Sequence, residues 1–440
     1  MRLLRTVCDM TDLFLKIYCA IVFFSLCKTN AYCLVSHTCT ANTQISTDTD
    51  YSSTPPEESM SIFEEMENRL SSLERRLRAI EHPVWQIGLK EEDWEVCTAG
   101  PCKCVPEMKS VSCWRYNLLD LPASQLVPAD VLRLDLGGNR LSALHRDTFR
   151  NMTQLHHLDL SSNLVEHLAP SLFLSLHGIA NVRLSNNLLK EIQPNQFFGL
   201  WDLQILDLSS NRLCTLPEDL FLSNSHLVLL DLSFNRISLL PPGAFDGLGN
   251  LDELLLNKNR LAQLPGRIFR DTKKLRRLAL EENRLKELPN GIFENLTSLK
   301  ELNMRTLNMR LTEVPKELFV TLSQLEILEL SSNKISRIDA KAFYGTTALR
   351  ELRLGHNHIK HLSPGLFNNS VSLERLILYD NRIKILTRGV FRGLYNLTSL
   401  FLQSNRLRIL QSGVFKDTPN LRKLQLESND LSFLPAGRLV

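Results

Sequence analysis

Past residue 114 the chain has almost no cysteine: nine of ten lie before that point and only Cys214 falls later. A disulfide framework therefore cannot hold most of the molecule together, and some other regular device must. Charge of one sign is also lacking, with 51 basic against 48 acidic residues and a net charge of +3. That balance argues against a nucleic-acid-binding surface, which needs a concentrated basic face, and total charge suggests no other partner. After the first thirty residues no apolar run approaches the ~20 residues needed to cross a bilayer. The signatures of catalysis are missing too: no G-x-S-x-G, no H-E-x-x-H, no P-loop and no dinucleotide fingerprint. No enzyme activity, cofactor or metal is expected.

What is present is a string that returns. Leu203-Gln204-Ile205-Leu206-Asp207-Leu208-Ser209-Ser210-Asn211-Arg212-Leu213 is followed by Leu216-Pro217 and Phe221. It fits L-x-x-L-x-L-x-x-N-x-L, the leucine-rich-repeat consensus. The repeat asparagines are Asn139, Asn163, Asn187, Asn211, Asn235, Asn259, Asn283, Asn333, Asn357, Asn381, Asn405 and Asn429, 24 residues apart except between Asn283 and Asn333. A phenylalanine column from Phe149 to Phe415 runs ten residues behind them. The leucines should point inward, Leu-x-Leu should pair as a parallel strand with its neighbours, and Asn should satisfy backbone groups where the chain leaves the strand. The fold expected is an α/β solenoid of about thirteen repeats, a horseshoe with a parallel sheet on its concave face. One repeat is irregular: Phe293 to Phe319 spans 26 residues and Met309 stands in the Asn slot. A small surface loop is the expected result.

The region before the repeats divides by composition. Arg2 and Arg5 precede the apolar run Ile17 to Leu26, and Thr29-Asn30-Ala31 offers small residues for cleavage, so residues 1–31 read as a secretory signal. Residues 32–60, rich in Ser and Thr with Pro55-Pro56, read as a disordered linker. Over 61–82, Phe63, Met66, Leu70, Leu73, Leu77 and Ile80 form a heptad seam. In a parallel dimer Arg69 would meet Glu74 and Arg76 would meet Glu81; the alternative is an amphipathic helix that stays alone or folds on its own chain. A homodimer through 61–82 is thus one expectation.

Cys97, Cys102, Cys104 and Cys113 then follow as C-x4-C-x-C-x8-C, at the head of a segment 97–128 that precedes the repeats at 129–440. Zinc is a formal option for four thiolates, but an oxidising compartment favours disulfides. With the repeats behind it, this cluster resembles the cysteine-rich N-terminal cap of the extracellular leucine-rich-repeat family. The resemblance implies bonds Cys97–Cys104 and Cys102–Cys113, and protein recognition without catalysis. It implies an extracellular protein ligand, with adhesion, receptor or carrier roles. A matrix scaffold, or a regulatory subunit that stabilises an enzyme or hormone, is the competing expectation. Leu439 occupies the Phe slot of the last repeat and no cysteine-rich C-terminal cap follows, so a longer form, at the cell surface rather than secreted, is also expected.

Binding residues should be those that leave the inner sheet, because packing does not constrain them. The middle strand position carries Asp135, Asp159, Asp207 and Asp231 in the first repeats, though Asp-Leu-Ser is also ordinary repeat chemistry. Later it carries Ile377 and Phe401, with Tyr379 two residues past Ile377 on the same face. Such an apolar and aromatic cluster is the kind that anchors interfaces. Sequons at Asn151, Asn295, Asn368 and Asn396 are candidate glycosylation sites, the first three just behind the ladder phenylalanines and away from the sheet. His356, His358 and His361 are the best metal candidates, but two flank a repeat Asn in a turn, where solvated histidines are commoner.

Overall fold

The structure is a computed structural model that describes residues 86–90, 92–306 and 312–432. The leader, the linker, the heptad segment 61–82, Met309 and Leu439 lie outside these residues.

Each repeat contributes one three-residue strand to a single 15-stranded sheet that runs from Lys103–Val105 to Lys423–Gln425. All pairings are parallel except the first, where Lys103–Val105 meets Ser110–Ser112 in antiparallel fashion. The strands are short because Leu-x-Leu is the only stretch with alternating burial; beyond it the chain must turn to bring the next leucine inward. In Ile205–Asp207, for example, Leu206 is fully buried between two half-buried neighbours. Helix is nearly absent: the one α-helix among the described residues is Asp93–Thr98, and the convex side is built of turns. The α part of the α/β expectation thus shrinks to a six-residue element ahead of the repeats.

Two interior ladders hold the stack. The phenylalanines lie flat on one another, with centroids 6.4 Å apart for Phe149–Phe173 and 5.9 Å for Phe391–Phe415, and eleven of them are among the largest fully buried side chains. Each buried ring contributes ~1.5–3 kcal/mol by leaving water. Because strands on the inner side repeat at ~4.8 Å while the rings repeat at about 6 Å, stacking bends the array toward the sheet. The second ladder is asparagine. Asn187 donates Nδ2 to Leu184 O in its own repeat (3.1 Å) and to Leu160 O in the preceding one (2.9 Å), while its Oδ1 accepts the Val165 N–H (3.0 Å). The same triple bond set recurs at Asn211, Asn235, Asn259 and onward. The side chain therefore does more than close its own turn: it bolts each repeat to the one before.

The long repeat is absorbed without loss of register. Glu301–Asn303 pairs directly with Ile327–Glu329, and Asn333 still reaches back, to Met304 O at 2.9 Å. At the other end the first repeat is closed by a lid of cysteines. Cys97 is bonded to Cys104 and Cys102 to Cys113, all but Cys104 fully buried or nearly so. The lid begins before its first cysteine, with Gln86–Gly88 pairing in parallel with Leu126–Pro128, and Trp94 Nε1 donating to Asp130 Oδ1 at 3.0 Å. Gln125, fully buried, sits at its centre: its Oε1 accepts the Cys102 N–H at 2.8 Å, while Nε2 donates to the carbonyls of Leu126 and Cys97.

Candidate binding face

The concave sheet presents two outward columns per strand, the first and third residues of each three-residue strand. Ile377 and Phe401 are direct cross-strand partners in the third column, and Tyr379 follows on the next turn. The three expected residues are brought together, but they are half-buried rather than freely exposed. The reason is local packing. Lys423 Nζ lies 5.0 Å over the Phe401 ring, and Tyr379 meets His356 edge to face at 4.8 Å. Tyr379 also fills the space above Gly355, where a Cβ would come within 2.9 Å of its ring. A glycine at that position is what lets the tyrosine lie against the sheet.

The aspartates are used at home. Asp159, Asp207 and Asp231 each accept, through Oδ1, the N–H two residues on, at 2.8 Å, 3.0 Å and 2.8 Å, and so fix the exit from the strand. Asp135 takes the Gly137 N–H in the same way and also the Ser112 hydroxyl. Both oxygens of Asp135 are thereby engaged, and the second oxygen of Asp159 lies 3.7 Å from Arg183. Asp135 stands directly opposite Asp159, and Asp207 opposite Asp231. Like charges in direct register work against folding. Burial raises the Asp231 carboxyl above the usual carboxylate range, the Ser233 hydrogen bonds pull it back, and the Asp207 charge adds to the rise.

A charged cluster that joins Glu329 and Arg353 of the third column to Glu351 and Arg375 of the first lies beside the apolar patch. Arg353 donates to Glu351 (2.6 Å) and Glu329 (3.4 Å), and Arg375 comes within 3.9 Å of Glu351. The bond to Glu351, followed by the pull of both carboxylates, raises the Arg353 guanidinium despite its partial burial. Both glutamates are buried in the sheet. The signal was available across the columns, where Glu351 stands opposite Arg375 in the first and Glu329 opposite Arg353 in the third. Phe234 was missed. It is exposed, it holds a left-handed backbone at φ 55°, and Lys258 sits 4.4 Å over its ring. In the same slot the other repeats place mostly Gly, Ser, Asn or charged residues, so a phenylalanine there stands out once the columns are aligned.

Away from the sheet, Asn151, Asn295 and Asn368 are exposed behind the ladder rings, while Asn396 is exposed just before a strand, its Nδ2 donating to Val371 O at 2.9 Å. His356 is bonded to the Asp380 carboxylate, and no group of three or more metal-ligating side chains occurs among the described residues. Leu174, Phe198 and Leu222, 24 residues apart, form an exposed apolar stripe, with Trp201 edge-on to Phe198 at 5.8 Å. A shallow groove of about 580 Å³ lies on the flank before the strands, floored by Gln204 and Val228 and walled by His226, Asn250, Asp252 and Arg276. Its charges are spent on each other: Arg276 and Asp252 form a two-point ion pair, and Lys274 donates to Asn250 at 2.7 Å.

The leucine rich repeat family profile matches seven overlapping stretches from 129–189 to 395–440. This chain belongs to the leucine-rich-repeat family. Among solved structures its repeats are similar to those of Drosophila Toll in the Toll–Spatzle complex, at 27% identity and TM-score 0.63 over 70% of this chain. The match spans only 41% of the Toll chain. They are similar also to a leucine-rich-repeat protein of Leptospira interrogans, at 26% identity and TM-score 0.65, covering 80% of this chain and 90% of that one. No curated protein sequence matches. Among the described residues no helix is long and apolar enough to cross a membrane.

Proposed function

We propose that this leucine-rich-repeat chain is a secreted or cell-surface protein-binding module that captures an extracellular protein through its concave face, without catalysis. The observation that carries this reading is the register of Ile377 against Phe401 on adjacent strands, with Tyr379 beside them and the Arg353–Glu351–Glu329 cluster on the next strand over. An apolar centre bordered by held charges is the anatomy of a protein interface. Toll, a structural neighbour, is seen in complex with a protein, Spatzle, which supports a protein ligand here. The cap disulfides favour an oxidising compartment. The sequons at Asn151, Asn295 and Asn368 stand off the strand surface, so sugars there would leave the concave face open, while Asn396 lies just before a strand. The carboxylates of Asp135, Asp159, Asp207 and Asp231, with Arg183 already beside Asp159, form a second, acidic zone of the same face, suited to basic groups on the ligand.

The test replaces Ile377 and Phe401 together by Asp and measures retention of proteins from extracellular fluid of the source tissue, with the circular dichroism spectrum as the folding control. Loss of the retained partner with a native spectrum is the expected result. Retention equal to that of the native chain removes these residues from the binding face.

A further inference from the structure

Three residues beyond the second leucine of Leu-x-Leu the chain crosses the repeat Asn and runs along the flank that follows the sheet. There, the residue after each Asn faces outward, because Asn and the next leucine are both buried. In four successive repeats that residue is arginine: Arg212, Arg236, Arg260 and Arg284. Their backbones are locked in register. Arg236 N–H donates to Leu213 O, Arg260 N–H to Ile237 O and Arg284 N–H to Leu261 O, each at 2.9 Å. Arg236, Arg260 and Arg284 are exposed and Arg212 is half-buried.

What sets this column apart is four arginines in unbroken succession with no ion pair among the described residues. On the sheet and the opposite flank several basic side chains are matched across the repeat: Lys300 with Glu326 at 2.8 Å, Arg350 with Glu374 at 3.7 Å, Arg277 with Glu253 and Glu301. Among the described residues none of the four arginines has a carboxylate within 4 Å. Glu282, two residues before Arg284, lies 3.8 Å from Lys258. Lys286, exposed two residues past Arg284, adds a fifth cation. None of the four sequons falls on this flank.

We propose that the Arg212–Arg236–Arg260–Arg284 column is a binding site for a linear sulfated polysaccharide laid along the solenoid axis. A row of like charges in adjacent repeats repels itself and is held only by the repeat register, so a regular polyanion is its natural complement. The pitch is regular, between the ~4.8 Å of the strands and the 6.1–6.5 Å of neighbouring rings in this region. Arginine in all four slots, rather than lysine, suits two-point recognition of sulfate oxygens. A single-stranded nucleic acid is the poorer fit: such sites pair a basic groove with free aromatic faces for the bases. Here the adjoining aromatic, Phe234, already has Lys258 over its ring. The near-neutral total charge conceals this local excess, which is why composition alone does not reveal it.

The experiment titrates the full chain with a size-fractionated heparin dodecasaccharide and, separately, with a single-stranded oligodeoxynucleotide of equal length in charges. With four contacts engaged, heparin affinity should fall about 100-fold between 50 and 200 mM NaCl. Replacing the four arginines by Ser should weaken binding at 50 mM by about tenfold or more and flatten that salt dependence. Replacing them by Lys should keep the salt dependence, and Lys300→Ser with Arg350→Ser on the opposite flank should change nothing. Thermal unfolding of each variant separates loss of a site from loss of fold. No heparin binding at 50 mM, an equal loss in the opposite-flank variant, or tighter binding of the oligonucleotide each overturns the proposal.

Discussion

The two flanks of the sheet use their basic side chains differently. Before the strands, Arg276, Lys300 and Arg350 each find an acid one repeat away, in Asp252, Glu326 and Glu374. After the strands, Arg212, Arg236, Arg260 and Arg284 find none. Paired surface charge keeps a long solenoid soluble and adds little to its stability. Unpaired charge in register adds nothing to folding at all, so its place in the chain has to be explained from outside the molecule. The concave face shows the same contrast between Arg353, held by two glutamates, and the opposed carboxylates Asp207 and Asp231.

The comparison rests on register, and the strongest way to break it is from within. Phe245→Ala removes a fully buried rung of the ladder and should cost about 3–5 kcal/mol, read by chemical unfolding; both flanks should then lose their alignment together. Next in size, Cys102→Ser with Cys113→Ser opens an 11-residue link in the cap and should cost about 2–4 kcal/mol. Its damage should stay near the first repeats, as local hydrogen exchange would show, leaving the arginine column intact.

Smaller changes sharpen the contrast between residues that serve the fold and residues that do not. Phe234→Asn exchanges a bulky side chain in a left-handed backbone for one that tolerates it, and should raise stability by about 0.5–1 kcal/mol once the lost Lys258 contact is offset. Asp231→Asn tests the opposed carboxylates through pH. Because the folded-state pKa of Asp231 is raised, the native chain keeps this group's stability below the ordinary aspartate range and loses it as pH rises through the folded value. The variant should therefore melt higher than the native chain at neutral pH, with the gap closing on acidification. Smallest of all, Arg350→Ala on the paired flank and Arg260→Ala on the open flank should each leave stability within ~0.5 kcal/mol. Only the second should weaken polyanion binding.

The fold was legible because every structural column has its own residue: leucine inside, asparagine at the turn, phenylalanine at the back. Each of those identities has one physical reason, and twelve repetitions make it unmistakable. The asparagine's reach into the preceding repeat was not legible, since a side chain's partner 27 residues back becomes visible only when the stack is built. The candidate site was legible in part. Reading the third strand column found Ile377 and Phe401, and their register is real, but the half-burial of Tyr379 depends on the glycine at 355 and on His356. The Arg353 cluster and the arginine column were hidden for another reason. Both consist of charges: the acids across from Arg353 and Arg375 show only once the repeats are aligned at their 24-residue offset, and which base has none shows only when the stack is built.

The central claim is that the concave face around Phe401 is where a protein partner sits. A photo-reactive amino acid placed at Phe401, and in a separate sample at the exposed Tyr344, tests it in the native extracellular fluid by cross-linking and mass spectrometry. The account predicts a cross-linked protein from position 401 and none from position 344. The same protein captured from 344 and not from 401 would contradict it.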